Sequence, residues 1–247
     1  MIRAAVLAAV LAVAAPGQSF DVATIRPNRA GKGAGDLRAS PGTLAIRNLP
    51  LHTILAVAYG VLPHQVSGPQ WLKDERFDIV AKTGAPVESE DEMLTLLRPL
   101  LVERFGLAMH QESREMPAYL LTVAKGGPKL EEARAEGDVS FKKANKSGAR
   151  IRAGHLTMPQ FAEILARRLG HPVRDMTGLT GAYRVSLEWA AEKTPKKPGK
   201  PGKVKPDKDR PSIFTAIQEQ MGLHLEGRKT AVEVLVVDHI RKTPEQN

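Results

Sequence analysis

The sequence of 247 residues contains no cysteine. Disulfides, thiolate metal sites and cysteine nucleophiles are therefore excluded, as is a lipid-anchored cysteine after a signal sequence. Aromatic residues are scarce, at 4%, so we expect a core built mainly from Leu, Val, Ile and Ala. The hydrophobic and charged fractions, 42% and 26%, are ordinary for a globular protein. The length allows one large domain or two small ones.

The N-terminal apolar run is well short of the roughly 20 residues that span a bilayer. It covers residues 4–15, after Arg3 and before Pro16-Gly17-Gln18. A positive charge, a short apolar segment and small residues, in that order, are typical of a secretory signal. We therefore expect a signal peptide at residues 1–17, export to the periplasm or the exterior, and no transmembrane segment in the mature chain. An uncleaved anchor helix is the alternative.

Basic charge is concentrated in one tract. The net charge is +9, and residues 190–211 hold eight Lys or Arg against three acidic residues. This tract also has five prolines and no apolar periodicity, so it lacks the apolar surface that ordering requires. We predict a disordered insertion at residues 192–211. Nucleic acid is not an expected partner, because the rest of the chain is only mildly basic.

Apolar periodicity divides the rest of the chain into two halves with the same order: strand, helix, strand, strand, helix, hairpin. The first half is residues 18–124, followed by a connector at 125–149, the second half at 150–242 and a tail at 243–247. The predicted fold is α+β with two tandem repeats, each packing two helices on a small mixed sheet and ending in a β-hairpin. The predicted core-facing helical positions are Leu51, Ile54, Leu55, Ala58, Met93, Leu96, Leu97, Leu100, Leu101, Phe105, Phe161, Ile164, Leu165 and Leu169.

The main evidence for the repeat is a pair of similar stretches at residues 105–123 and 221–237. We interpret each as the end of a helix, a strand, a tight turn and a second strand. The matched positions are Gly106-Leu107 with Gly222-Leu223, Arg114 with Arg228, and Leu121-Thr122-Val123 with Leu235-Val236-Val237.

Capping residues predict where three helices begin. Ser89-x-x-Glu92 and Thr157-x-x-Gln160 have the capping-box pattern ahead of an apolar run. Asn48 is expected to cap the helix that follows it.

Proline and glycine interrupt the pattern at two places. Pro99 falls inside an apolar helix, so we expect a bend or a restarted helix near residues 95–99. Residues 29–41 are polar and rich in glycine, which predicts a loop. The glycines at 31, 33 and 35 are followed by Asp36-Leu37-Arg38-Ala39-Ser40-Pro41, which does not predict a helix, so this loop is not expected to bind phosphate.

Several stretches together resemble one known family: FDVATIRPN, AYGVLPHQVSGPQWL, ERFDIVAK, ERFGLAMHQESREMPAYLLTVAKGGPKL, PVRDMTGLTGAY, IFTAIQEQMGLHLE and VEVLVVDHI. Over nearly its mature length the chain resembles an acidobacterial family of secreted proteins of unknown function. The resemblance implies a secreted or envelope protein, with some relatives joined to BlaR-type membrane metallopeptidase sensors, and it implies no activity. Each half also resembles, in its order of elements, the short N-terminal domain of secretins and TonB-dependent receptors.

The densest charged cluster is the first candidate binding site. It consists of Glu103, Arg104, Glu112, Arg114 and Glu115. Such a cluster suits the binding of a carboxylate or of a partner protein. Salt bridges between a helix and a hairpin are the structural alternative.

Two further places carry candidate binding residues. Asp175 and Thr177, with Gly178 and Gly181, form a loop that suits an anion or a small ligand; the same residue types also stabilise ordinary turns. Trp71, after a Gly-Pro pair, suits an exposed anchor for a partner protein. Filling of the core is its structural alternative.

No catalytic, cofactor-binding or metal-binding residue is predicted. The seven histidines include no helical i, i+4 pair with the glutamate that zinc hydrolysis uses, and there is no Gly-x-Ser-x-Gly elbow. The first hypothesis is a non-catalytic exported module that binds a partner protein or small ligand in the cell envelope. The alternatives are a secreted enzyme acting on a cell-wall or carbohydrate substrate, and a binder of polyanions through the basic tract.

Export makes a direct prediction about the mature N-terminus. We expect cleavage between Ala14 and Ser19, because the small residues that follow the apolar run are the kind that signal peptidase accepts. N-terminal sequencing of the exported protein measures this. A mature chain that still begins at Met1 would contradict it.

Overall fold

The computed structural model describes residues 19–31, 33–87, 89–133, 139–145, 148–190 and 210–245. The predicted signal peptide and almost all of the predicted insertion lie outside these residues. The described chain is a mixed α+β protein. Its strands are β1 (Val22–Pro27), β2 (Asp36–Ser40), β3 (Thr43–Pro50), β4 (Val66–Ser67), β5 (Arg76–Lys82), β6 (Ala108–Val123), β7 (Glu131–Glu132), β8 (Val139–Asn145), β9 (Gly148–Thr157), β10 (Val173–Asp175), β11 (Ala182–Trp189) and β12 (Leu223–His239).

The helices are α1 (Leu51–Ala58), α2 (Trp71–Asp74), α3 (Glu90–Thr95), α4 (Leu97–Phe105), α5 (Met158–Leu169) and α6 (Ile213–Met221). Within the described residues, no helix has both the length and the apolar character needed to cross a membrane.

The strands form three four-stranded sheets. Their orders are β1-β5-β3-β2, β10-β6-β12-β4 and β7-β11-β9-β8. The first and third sheets are antiparallel throughout. In the second sheet β4 joins β12, and β10 joins β6, in parallel. The predicted connector therefore supplies two strands, β7 and β8, to the third sheet.

The chain divides into two compact units. Unit 1 consists of Met1–Ser113 with Glu233–Asn247, and unit 2 of Arg114–Val232. Both divisions fall inside the long strands β6 and β12. Each predicted repeat, at 18–124 and at 150–242, is one continuous stretch of sequence. Unit 1, in contrast, combines residues 1–113 with residues 233–247.

The core of unit 1 lies between the first sheet and helices α1, α3 and α4. Leu44 and Ile46 of β3 and Ile79 of β5 point into it from the sheet. The Phe77 and Phe105 rings meet edge to face, with centroids 5.2 Å apart. Every core-facing position predicted for these helices is buried, which confirms the helical periodicity.

The core of unit 2 joins the third sheet to α5, α6 and parts of β6 and β12. It includes Tyr119 and Leu121 of β6 and Leu223 and Leu225 of β12. The predicted stripe of α5, with Phe161 at its first turn, is buried as well. Parts of β6, β10 and β12 from the second sheet therefore pack in this core, whereas Val66 of β4 and Val237 of β12 belong to the core of unit 1.

Local helix signals are confirmed. The Thr157 hydroxyl accepts a hydrogen bond from the Gln160 N–H while the Gln160 side chain binds the Thr157 N–H, and Ser89 caps α3. The apolar helix predicted around Pro99 is broken: α3 ends at Thr95 and α4 begins at Leu97. Pro99 thus lies in the first turn of α4, where its missing N–H costs little.

The predicted hairpins are wrong. β6 and β12 are continuous strands of 16 and 17 residues. The residues we interpreted as turns, around Arg114 and Arg228, are solvent exposed. A strand whose middle is exposed has no apolar alternation to reveal it, and its polar residues have the composition of a turn.

Two further local predictions are wrong. Part of the loop predicted at residues 29–41 is β2, which pairs with β3 from Asp36 to Ser40. Asn48 does not cap α1, whose N-cap residue is Pro50. Asn48 instead lies in β3 with φ of 49°, at an irregularity in the pairing with β5.

Each of the two cores can be tested by truncating one fully buried side chain. Leu101 of α4 and Ile217 of α6 have no exposed surface, so we expect Leu101→Ala and Ile217→Ala each to lower the free energy of unfolding by about 2–5 kcal/mol. Arg184→Ala is the control, because this side chain is 67% exposed. Urea titration measures all three. If Leu101→Ala and Ile217→Ala lower the free energy of unfolding as little as Arg184→Ala does, the assignment of the cores is contradicted.

Candidate functional site

The predicted ligand loop of unit 2 is closed by its own side chains. Oδ1 of Asp175 accepts hydrogen bonds from the Thr177 N–H at 2.9 Å and from the Thr177 hydroxyl at 2.8 Å. The Thr177 oxygen in turn accepts from the Leu179 N–H at 3.2 Å. Gly178 has φ of 70°, which favours glycine. These contacts are those of a stable turn that follows β10.

Arg104 is buried in unit 1 and holds the C-terminal segment. Its side chain is 9% exposed, and Nε lies 3.2 Å from a carboxylate oxygen of Glu103 without the alignment of a hydrogen bond. Nη1 donates to the Glu245 carbonyl at 3.3 Å. The main-chain oxygen of Arg104 accepts from the Glu245 N–H. The guanidinium therefore has a structural use at the end of α4.

Trp71 opens α2 and packs against the core of unit 1 while remaining half-buried. Its neighbour Leu72 is buried. The indole therefore stabilises the core, and only part of it is available to a partner.

Glu112 and Arg114 lie on β6 and are exposed. Two residues apart on a strand, they face the same side. Of the predicted site residues, these two have the accessibility that binding of a partner requires. Arg104, which the sequence grouped with them, is buried on α4.

A matching charged pair lies on β12 in unit 2. Arg228 Nε donates to Oε1 of Glu226 at 2.8 Å, and the two side chains are 60% and 43% exposed. Leu223 and Leu225 point into the core, so the alternate residues of the strand face solvent. Arg228 was recognised from the sequence, but Glu226 was not. The spacing Glu-x-Arg, shared with Glu112 and Arg114, was the available signal.

The same part of β12 forms an open edge. β12 lies between β6 and β4 in the sheet. β4 pairs only with Leu235 and Val236, so over residues 224–232 no strand of the described chain adds to this side of β12. Backbone N–H and C=O groups at such an edge can pair with another strand. An accessible strand edge with charges of both signs is therefore the best candidate site of the described chain.

A polar network in unit 1 was not predicted from the sequence. Oδ1 of Asp78 accepts from the Asn28 side chain and from the Asn48 N–H, both at 2.8 Å. Nη1 of Arg76 donates to the Asn48 carbonyl at 2.5 Å. A Cβ on Gly35 would lie 2.5 Å from that same carbonyl, so the glycine-rich loop packs closely on β3. The network holds Asn48 in its left-handed conformation.

His52 is the buried titratable group of unit 1. Its Nε2 lies 3.1 Å from the Val66 carbonyl, which only accepts, so Nε2 carries the proton. Burial lowers the pKa of His52 below its ordinary value of 6.5, the hydrogen bond to Val66 raises it, and the positive charge of Lys73 lowers it. The imidazole is therefore held neutral and serves to join α1 to β4.

Two observations on the described residues concern metal binding and acid–base pairs. The described residues contain no group of three or more His, Asp or Glu side chains placed to hold a metal ion. Nδ1 of His110 lies 2.9 Å from both carboxylate oxygens of Asp238, but the pair is exposed, at 40% and 48%.

Fold and site together define a class: a mixed α+β protein of two compact units with a strand edge as its candidate site. The chain belongs to the family described as "Protein of unknown function (DUF3738)", which matches residues 52–240. The match begins in α1 and ends just after β12, so it includes parts of both units. No curated protein and no solved structure matches the chain.

The state of His52 predicts how stability depends on pH. Because its pKa is lowered in the folded state, protonation favours unfolding. We expect the free energy of unfolding to fall as the pH drops below about 6.5 and to level off once the folded-state pKa is passed. His52→Gln keeps a donor for the Val66 carbonyl but does not titrate, so this part of the pH dependence should disappear.

Urea titrations at a series of pH values measure the effect, with His224→Gln, on the exposed face of β12, as control. If the free energy of unfolding of His52→Gln falls with pH as that of the wild type does, His52 is not the source of the pH dependence.

Proposed function

We propose that the protein is an exported, non-catalytic module of the cell envelope that binds a partner protein through the open edge of β12 in unit 2. The observation that carries the proposal is that residues 224–232 of β12 have no strand on their outer side within the described chain. Addition of an extended segment to such an edge is a common mode of recognition, in which main-chain hydrogen bonds supply affinity and side chains supply specificity.

The side chains along this edge suit a protein partner. Arg228 and Lys229 are exposed, and Glu226 and Thr230 are half-buried. Charges of both signs in one row favour a strand with a complementary pattern over a uniformly charged polymer. A folded or extended protein is therefore favoured as the partner over the polyanion considered from the basic tract.

Placement in the envelope rests on the N-terminal pattern and on the resemblance to an acidobacterial family of secreted proteins, some joined to BlaR-type sensors. The charged, apolar and small segments of residues 1–17 support export.

The proposal includes an internal duplication, with each half related to the short domain of secretins and TonB-dependent receptors. The orders β1-β5-β3-β2 and β7-β11-β9-β8 support it, because corresponding strands occupy corresponding places. So do Gly106 and Gly222, which end α4 and α6 with φ of 60° and 65°. Leu101 and Ile217 are separated by the same number of residues as this glycine pair.

Site-specific crosslinking tests the binding edge. A photo-crosslinking amino acid at Ala231, an exposed position on β12, should give a discrete protein adduct in cells that export the protein. The control position is Glu163, exposed on α5 of the same unit. Mass spectrometry identifies the adduct. No adduct at Ala231, or the same products from both positions, would contradict the proposal.

A further inference from the structure

The charged residues Glu226 and Arg228 on β12 indicate which partner fits the edge of this strand. We propose that a second copy of this chain pairs with it, the two β12 strands running antiparallel about a two-fold axis at Gly227. This inference rests on the proposed function, because it names the protein that occupies the same edge.

The backbone supplies the first requirement. Residues 224–232 are part of one continuous strand, and the described chain places no strand on their outer side. Two identical edges can pair with each other antiparallel, since a two-fold axis perpendicular to the sheet brings the same surface of both copies together. A closed pair of this kind removes the exposed edge from both copies.

The charges supply the second requirement. With the axis at Gly227, Glu226 lies directly opposite Arg228 of the second copy, and Arg228 lies opposite the second copy's Glu226. Within one chain these two side chains are already in contact at 2.8 Å, so they share a face of the strand. The dimer would join the two ion pairs into a network of four alternating charges, and opposite charges across a strand pair are stabilising.

Gly227, the residue on the two-fold axis, meets the third requirement for pairing of two copies. Gly227 has no side chain, so the two backbones approach at the centre without a side-chain clash. Protective edges usually carry charges that repel their own copies, such as lysine rows. In this register Glu226 and Arg228 meet opposite charges on the second copy, so the two edges do not repel each other. This distinguishes the edge from a protective one.

Charge reversal tests the proposal on the purified full-length protein. We expect the wild type to form dimers in sedimentation velocity at low salt, and to dissociate as salt is raised. Glu226→Arg and Arg228→Glu each place like charges opposite each other, so each should weaken the dimer at least about tenfold. The double variant, with both changes, restores opposite charges and should regain wild-type affinity within a few-fold.

Glu163→Arg on α5 is the matched control, because it makes the same charge change at an exposed position of unit 2. Its dimer affinity should equal that of the wild type. Circular dichroism melts of every variant, recorded at concentrations where the protein is monomeric, check folding; if one single variant does not fold, the other single and the double variant still decide.

Three results would overturn the inference: a wild type that is monomeric at every concentration tested, single variants that dimerise like the wild type, or a double variant that stays as weak as the singles. A monomer that nevertheless crosslinks from Ala231 to a different envelope protein would overturn this inference while leaving the proposed function standing. If no adduct forms at Ala231, both this inference and the proposed function are contradicted.

Discussion

The structure depends on two long strands that each serve both compact units. β6 and β12 have 16 and 17 residues, and the division between units falls at Ser113 and Arg114 in one and at Val232 and Glu233 in the other. Unit 1 is therefore completed by residues from the end of the chain. Leu235 pairs with Val66 of β4.

The C-terminal residues have a second effect on unit 1, at the end of α4. The last carbonyl groups of a helix lack partners within the helix. Here the Arg241 N–H donates to the Phe105 carbonyl and the Glu245 N–H to the Arg104 carbonyl, both at 2.8 Å. Over its described residues, the segment predicted as a tail at 243–247 is thus held to α4. This explains why Arg104 is buried.

Much of the fold was predictable from local signals, because capping and helical periodicity act over a few residues. Thr157 with Gln160, Ser89, and the break before Pro99 were all correctly placed. The continuity of β6 and β12 was not, because their exposed middles lack apolar alternation and contain residues typical of turns. Pairing of β12 with β4 joins residues far apart in the sequence, and no local pattern reports it. For the candidate site, the charge cluster included Glu112 and Arg114 but also the buried Arg104, and the open edge beside Glu226 required the sheet order.

The claim that unit 1 is incomplete without the end of β12 is tested most directly by hydrogen exchange on a chain that ends at Val232. We expect core amides of unit 1, such as those of Ile46 and Phe105, to lose their protection, because Val237 and the contacts to α4 are gone. Amides of unit 2, such as that of Leu165, should keep theirs. Wild-type protection of Ile46 and Phe105 in the shortened chain would contradict it.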